Sequence, residues 1–562
     1  MTAPTTNGSR HSESSDMRAA AHVLDRAGGS ARDLYRDVLR VTGDLPRRSA
    51  LVAPATAWRV GEQTATVAFG PRGLGSVGLR MQLIARGLRY AAWAYDRAES
   101  HGRGVLGSVL DPLAPVLLGT ELPTGGLLPL ELPIATLLHL AELGGFDPSV
   151  LSPPAGAPPQ PQRVNAWWTA LRPDQRSALL RSNPHYYGNL NGVPSADRHG
   201  ANRIMLERDL AAGAQLFREH GLKPPASAAE AERLPTWQLK AIGYYDGPIT
   251  LMVDEGVRGR LNRFKTALST QATTQPQGGM RPILLAYDSG RYENEGRVAI
   301  AYGDPDSAAN VAYAVPGLES RGSKVSQVGG DAYNLWAEAN KAGPSAPTAV
   351  IAWQGYDAPE LTNVASEAKA RAGARLLTRD VAALTVTNHH DPNVTVVGHS
   401  YGSTTTTLAL QSEGLADHVD QVVLIGSPGV GGDADSVSDL HLNRDQLFVG
   451  SASRDVVTTD YQLLGTDPAE EGFGATRFKA ENVHRDAGLP WQVGDHSRYY
   501  DPGSESLYAI ADIVSGHRGE LAAHDLLAGS RQSEVGGSPY VGPTSTTHDP
   551  EHDRAPTGGH LH

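Results

Sequence analysis

The chain of 562 residues contains no cysteine. Disulfides, thiolate zinc sites, iron–sulfur clusters and a cysteine nucleophile are therefore excluded, and covalent chemistry falls to serine, threonine, lysine or a carboxylate. Lysine is scarce as well, with 7 among the 49 basic residues and none before Lys223. Against those 49 stand 61 acidic residues, a net charge of -12, so the broad basic footprint that a nucleic acid requires is missing. A membrane span needs about 20 nearly uninterrupted apolar residues. The most apolar region, residues 104–146, is broken by Asp111, Glu121, Glu131 and several prolines. It predicts buried or surface-apposed helices, or a lid over an acyl pocket, and no transmembrane segment. The first sixteen residues have no apolar core, which predicts no secretory signal at this end and a cytoplasmic location.

What is present divides the chain. Val23, Leu24, Leu34, Val38 and Leu39 recur at helical spacing, as do Val77, Met81, Ile84, Leu88, Ala92 and Tyr95, which predicts a helical N-terminal region able to bind a helical partner. The proline-rich stretch SPPAGAPPQPQ at 152–162 reads as a linker. Helices are expected at 164–180 and 204–220 around a turn segment, NPHYYGNLNGVPSADRHGANR. From Arg281 onward, short β-branched runs closed by Gly, Pro or Asp predict strands at 283–287, 297–302, 311–315, 349–353, 394–397, 421–425 and 446–450. Helical patterns at 363–371, 374–384 and 403–411 lie between them. Strand and helix in alternation, with the strands apolar throughout, predict a mostly parallel sheet covered on both faces. The polar, Gly/Pro-rich residues 529–562 are expected to be disordered.

One motif carries chemistry. Gly398-His399-Ser400-Tyr401-Gly402 is G-x-S-x-G, preceded by the apolar VTVV and followed by the small-residue run STTTTLAL, the strand-turn-helix context of a nucleophile elbow. So sharp a turn leaves no room for bulk at Gly398 and Gly402, and it sets the serine hydroxyl at a helix N-terminus, where free N–H groups favour an oxyanion. Serine needs a base, and the α/β-hydrolase layout supplies an acid and then a histidine later in the chain. Asp455, after the strand ending at Gly450, is the leading acid, with Asp433, Asp435 and Asp460 as competitors. His496, ahead of a predicted helix at 505–514, is the leading base, with His484 and His517 as alternatives. The oxyanion hole would be formed by the amides of Tyr401 and of Leu318, the latter in the Pro316-Gly317-Leu318 loop after a strand. Tyr302-Gly303-Asp304-Pro305-Asp306 reads as a turn and His389-His390 as a surface pair without a third ligand. Neither a Walker loop nor a G-x-G-x-x-G fingerprint occurs, so no metal and no cofactor is expected.

Through GNLNGVPSADRHGANR, DSAANVAYAVPGLES, VIAWQGYDAPE and VVGHSYGSTTT the chain resembles the actinobacterial α/β-hydrolases formerly catalogued as domain of unknown function 1023. The resemblance covers about residues 164–517. It implies a lipase- or esterase-like serine hydrolase and supports Ser400, Asp455 and His496 without naming a substrate; the site residues predict cleavage of a small-molecule or lipid ester, with a serine peptidase or amidase as the alternative. That family is expected to carry an Arg-Asp pair where this chain has Arg198-His199. The N-terminal helices in turn look like helical-hairpin substrates of type VII secretion, with Tyr95-Asp96-Arg97-Ala98-Glu99 as a Tyr-x-x-x-Glu signal, and the alternative function is a non-catalytic or exported interaction or effector protein on a hydrolase scaffold. The expected organisation is a disordered 1–16, a helical domain 17–151, the linker 152–162, a helical lead-in 163–280, an α/β-hydrolase domain 281–528 and the tail.

Overall fold

The computed structural model describes residues 158–245, 253–360, 364–459, 464–482, 494–538, 542–552, 554 and 556. The expectations for residues 1–151, including the N-terminal helices, the apolar stretch and the Tyr95 signal, lie outside the described residues, as do Asp460 and His484.

Eight strands form one sheet: β1 (Ile283–Asp288), β2 (Arg297–Tyr302), β3 (Asn310–Val315), β4 (Thr348–Gln354), β5 (Asn393–His399), β6 (Gln421–Ile425), β7 (Leu447–Gly450) and β8 (Thr476–Phe478), in the order β1-β2-β4-β3-β5-β6-β7-β8. From β4 through β8 every neighbouring pair is parallel, whereas β2 runs antiparallel to both β1 and β4. β8, three residues long, is too short for a periodic signal.

Successive strand residues face opposite sides, so each strand feeds two cores. Val311, Tyr313 and Val315 of β3 pack on one face with Ile351, Trp353 and Val396. Ala312 and Ala314 face the other, with Ile300, Val350 and Val423. The helices are α1 (Pro161–Ala170), α2 (Pro173–Ser182) and α3 (Pro184–Gly188), which share a separate apolar cluster around Trp168, and α4 (Ser195–Arg218), α5 (Glu255–Thr273), α6 (Val325–Ala342), α7 (Ala368–Thr387), α8 (Tyr401–Ser412) and α9 (Glu505–Val514), which pack on the two sheet faces. Leu377 and Val381 of α7 and Leu408 of α8 close the first face; Leu335 of α6 and Ile510 and Ile513 of α9 close the second. Burying a side chain of this size stabilises the fold by about 1.5–3 kcal/mol.

Several expected boundaries shift. The helix expected at 164–180 is two, because Pro173 has no N–H to continue α1 and instead heads α2. The expected helices at 363–371 and 374–384 are a single helix from Ala368, since nothing between them breaks the hydrogen-bond ladder. The expected turn segment holds α3 and the start of α4. Beyond residue 529, β9 (Gln532–Ser538) pairs antiparallel with β10 (Gly542–His548), and Arg531 is fully buried. Arg531 is held there by ion pairs with Asp467 (3.2 Å) and Asp549 (2.8 Å).

The segment that carries the family resemblance seals the sheet edge. β1 has one strand neighbour, so its outer backbone groups need other partners. Asn189 supplies both an acceptor for the Tyr287 amide (3.2 Å) and a donor to its carbonyl (2.9 Å). Asn202 donates to the Leu284 carbonyl (3.1 Å), and His199 Nδ1 accepts from the Leu284 amide (2.9 Å). At the position where a carboxylate is expected, the imidazole presents an acceptor of the same reach. Burial, with help from the Arg203 charge, pushes the His199 pKa down, which keeps Nδ1 free to accept. The Asp304–Asp306 turn faces the start of α4, where Asp306 accepts from the Ser195 amide (2.6 Å) and hydroxyl (2.7 Å).

Candidate active site

β5 runs through His399 and α8 begins at Tyr401, so Ser400 alone turns the chain, at φ 55° and ψ -129°. A non-glycine residue is rarely found there, and the surrounding packing maintains the strain. Its glycine neighbours are required by contact. A Cβ at Gly402 would lie 2.3 Å from the Val315 carbonyl oxygen, and one at Gly398 would lie 2.7 Å from Ser403 Cα. Thr405, Thr406 and Thr407 bond back to the carbonyls of Tyr401, Gly402 and Ser403, which leaves this buried helix slim and its hydroxyls satisfied.

Three side chains meet at this turn. Ser400 Oγ lies 2.8 Å from His496 Nε2, and His496 Nδ1 lies 2.8 Å from Asp455 Oδ2. A carboxylate can only accept, so Nδ1 carries the proton and Nε2 receives the serine hydroxyl. Asp455 is completely buried in the loop after β7. Burial alone would raise its pKa; the hydrogen bond and charge of His496, with further bonds from the Tyr499 hydroxyl and the Val457 amide, outweigh burial and hold it below the ordinary carboxylate value. The competitors lie elsewhere: Asp433 and Asp435 are exposed, and His517 bonds to Ser515 beyond the end of α9.

The geometry around the serine also favours a developing anion. The Tyr401 amide heads α8, ahead of the first turn bond from the Ser403 amide to the Ser400 carbonyl (2.9 Å). Among the described residues the Leu318 amide has no acceptor. Gly317 brings that loop against Ser400: a Cβ there would sit 2.7 Å from Ser400 Cβ and 3.0 Å from its Oγ.

Strand order, parallel register and elbow decide the fold. The described domain is an α/β hydrolase by fold. A family model described as alpha/beta hydrolase matches residues 292–464, a stretch that includes Ser400 and Asp455. The uncharacterized protein Rv2079 of Mycobacterium tuberculosis is 37% identical over 415 residues, covering 68% of this chain and 60% of that one. A second mycobacterial protein, the uncharacterized Rv0963c, is 37% identical over 155 residues, 26% of this chain and 57% of its own. The chain thus spans less than two thirds of the length of these relatives. Among solved structures, esterase Est22 aligns with 46% of this chain and 88% of its own at 12% identity and a TM-score of 0.26, and a Pyrobaculum calidifontis esterase with 48% and 93% at 10% and 0.24.

Within this hydrolase fold, three residues escaped the sequence reading. Tyr499, three positions after His496, donates from its hydroxyl to Asp455 Oδ2 (2.8 Å) and accepts from the Ala452 amide (3.1 Å). Gly426, at φ +58°, leaves room for the histidine loop, since a Cβ there would lie 3.0 Å from the Tyr499 ring and 3.1 Å from His496. His399, read only as the variable elbow position, donates from Nε2 to the His496 carbonyl (2.7 Å), with the two rings 5.0 Å apart. Burial first, and the His496 charge second, push its pKa down to about 4. It therefore adds no second cation beside the base. Among the described residues no group of His, Asp and Glu could hold a metal ion, and no helix is long and apolar enough to cross a membrane.

Proposed function

We propose that the protein is a serine hydrolase that cleaves a carboxylic ester of a small molecule or lipid through an acyl-enzyme. The observation that carries this reading is the unbroken chain Ser400–His496–Asp455, with 2.8 Å at each link. Ser400 Oγ attacks the ester carbonyl carbon as His496 Nε2 takes its proton. Asp455 orients the ring and stabilises the imidazolium. The tetrahedral oxyanion accepts from the Tyr401 and Leu318 amides, which are fixed before charge develops. Collapse expels the alcohol, which leaves with the proton from His496. Water then attacks the acyl-enzyme with His496 as base, releasing the carboxylic acid and restoring Ser400. No step draws on a cofactor. The finer kinship, with the actinobacterial hydrolases formerly catalogued as domain of unknown function 1023, rests on the segments around Asn191, Pro316 and Ser400.

A fluorophosphonate is the direct test, because it reacts with an activated serine irrespective of substrate. Labelling at Ser400, lost in Ser400→Ala together with turnover of p-nitrophenyl esters, is expected. Folded wild-type protein that resists the probe would overturn the reading. Comparison of p-nitrophenyl esters with peptide anilides separates an esterase from an amidase, and faster ester turnover is expected because an alcohol leaves more readily than an amine.

A further inference from the structure

The residues after Gly529 are bound to the loop that presents the triad acid. The Arg531 amide donates to the Ala469 carbonyl (3.0 Å) and its carbonyl accepts from the Glu471 amide (3.1 Å), which pins the main chain beside residues 469–471. Its fully buried guanidinium then spreads over five acceptors. Nη1 donates to the Thr458 carbonyl (2.9 Å) and to Asp467 (3.2 Å), Nη2 to the Thr458 hydroxyl (3.0 Å) and the Ala452 carbonyl (3.4 Å), and Nε to Asp549 (2.8 Å). Asp549 also accepts from Arg477 (2.7 Å), which itself donates to the Ser451 carbonyl (2.9 Å). Two buried arginines are thereby matched by two buried aspartates.

The two loop residues that Arg531 grips, Ala452 and Thr458, are those that bond to the backbone of Asp455. The Asp455 amide donates to the Ala452 carbonyl (3.1 Å), while its own carbonyl accepts from the Thr458 amide (3.1 Å) and hydroxyl (3.0 Å). Arg531 is thus one residue removed from the acid at both ends of its loop. A planar fork can fix several acceptors at once, which an ammonium group cannot do.

We propose that Arg531 is a positioning residue of the active site, which together with Asp549 clamps the Ala452–Thr458 loop and thereby holds Asp455 in register with His496. The inference rests on the serine-hydrolase reading. It makes the C-terminal segment part of the catalytic architecture, although that segment is not in contact with the reacting atoms. A displacement of about 1 Å in a catalytic group can cost on the order of a hundredfold in rate.

The test uses the full chain and two readouts, the rate of fluorophosphonate labelling at Ser400 and hydrolysis of a short p-nitrophenyl ester. Arg531→Lys, which keeps the charge and loses the fork, is expected to slow labelling by roughly tenfold or more and to lower kcat with KM within about twofold. In an Asp455→Asn background the same substitution is expected to change labelling by less than about twofold, because the group it positions has already lost its role. Equal losses in both backgrounds would mark a general effect on the fold and overturn the proposal, as would unchanged rates in folded Arg531→Lys. Should Arg531→Lys not fold, Asp549→Asn, which removes the carboxylate partner of the Arg531 Nε without touching Asp455, is read the same way: slower labelling that depends on Asp455 supports the proposal and unchanged labelling overturns it. Wild-type protein that is not labelled removes the hydrolase reading and this inference with it. Labelled wild type with a failed Arg531 cycle removes the inference alone.

Discussion

The Tyr499 hydroxyl donates to the same Asp455 oxygen that receives His496 Nδ1, each at 2.8 Å. The carboxylate is held from two sides, so its orientation does not rest on His496 alone. Tyr499→Phe deletes one donor to a buried carboxylate, a loss worth about 1.5–3 kcal/mol for a charged acceptor. Ester turnover is expected to fall roughly tenfold, at about 1.4 kcal/mol per decade. The sign of the pH effect follows from the lowered Asp455 pKa. Its contribution to stability is present above the unfolded carboxylate value of about 3.9 and is lost as pH falls through the lower folded value. Urea unfolding of the wild type and the variant between pH 5 and pH 2 measures how much of that contribution Tyr499 supplies.

Gly317→Ala brings a methyl group 2.7 Å from Ser400 Cβ and 3.0 Å from the His399 carbonyl oxygen. Overpacking of this kind costs about 1–3 kcal/mol. The expected outcome is a folded protein with a lower melting temperature and labelling at Ser400 slowed by on the order of a hundredfold, since the oxyanion loop and the nucleophile are pushed apart. Wild-type labelling rates would show that the loop relaxes without affecting the site.

Strain at Ser400, the proposed nucleophile, predicts an inverse relation between stability and activity. Ser400 occupies φ 55°, a conformation that glycine adopts without penalty and other residues at a cost of about 1–3 kcal/mol. Ser400→Gly is expected to raise the melting temperature while abolishing turnover. Ser400→Ala keeps the strain and should melt close to the wild type. Calorimetry on the three proteins decides it.

His399 gives the site an acid-sensitive element. Its folded pKa of about 4 lies below the unfolded value of about 6.5, so the folded protein binds fewer protons in between. Stability is therefore fully present above about pH 6.5 and is lost as pH falls towards 4, by a total on the order of 3 kcal/mol. His399→Gln retains an N–H donor for the His496 carbonyl and removes the titration. Its stability measured at pH 7 and pH 4.5 should differ less than that of the wild type. An unchanged difference would assign the acid sensitivity to other groups.

The sheet edge offers a test remote from the chemistry. His199→Ala leaves the buried Leu284 amide without its acceptor, at a cost of about 1–3 kcal/mol. His199→Asn, whose side-chain oxygen reaches as far as Nδ1, is expected to stay within about 1 kcal/mol of the wild type. Urea denaturation separates the two.

Much of this was legible in the chain, and the reasons are local. Seven strands could be read because strands buried on both faces are continuous apolar runs closed by turn residues, as at Val394, Val396 and Val397. The elbow could be read because Gly398 and Gly402 answer contacts within a few residues or on the adjoining strand end. What was missed depends on distant partners. Tyr499 is an ordinary loop tyrosine until Asp455 lies above it. His199 departs from an expected acid until the Leu284 amide shows that only an acceptor is needed. Nor does hydrophobicity, which measures apolar burial, register Arg531 held by Asp467 and Asp549.

The sequence by itself determined the candidates: without cysteine, a serine at a strand-to-helix turn, followed by an aspartate and a histidine in chain order, singles out Ser400 as the proposed nucleophile. Only the tertiary structure decided which aspartate and which histidine meet that serine. Asp455 and His496 are 41 residues apart and His496 is 96 residues from Ser400. Contacts over such separations are formed by the parallel register of β5, β6 and β7 and by the packing of the loops beyond them. Those loops are in turn held by buried side chains, Tyr499 and Arg531 among them, whose role no local pattern encodes.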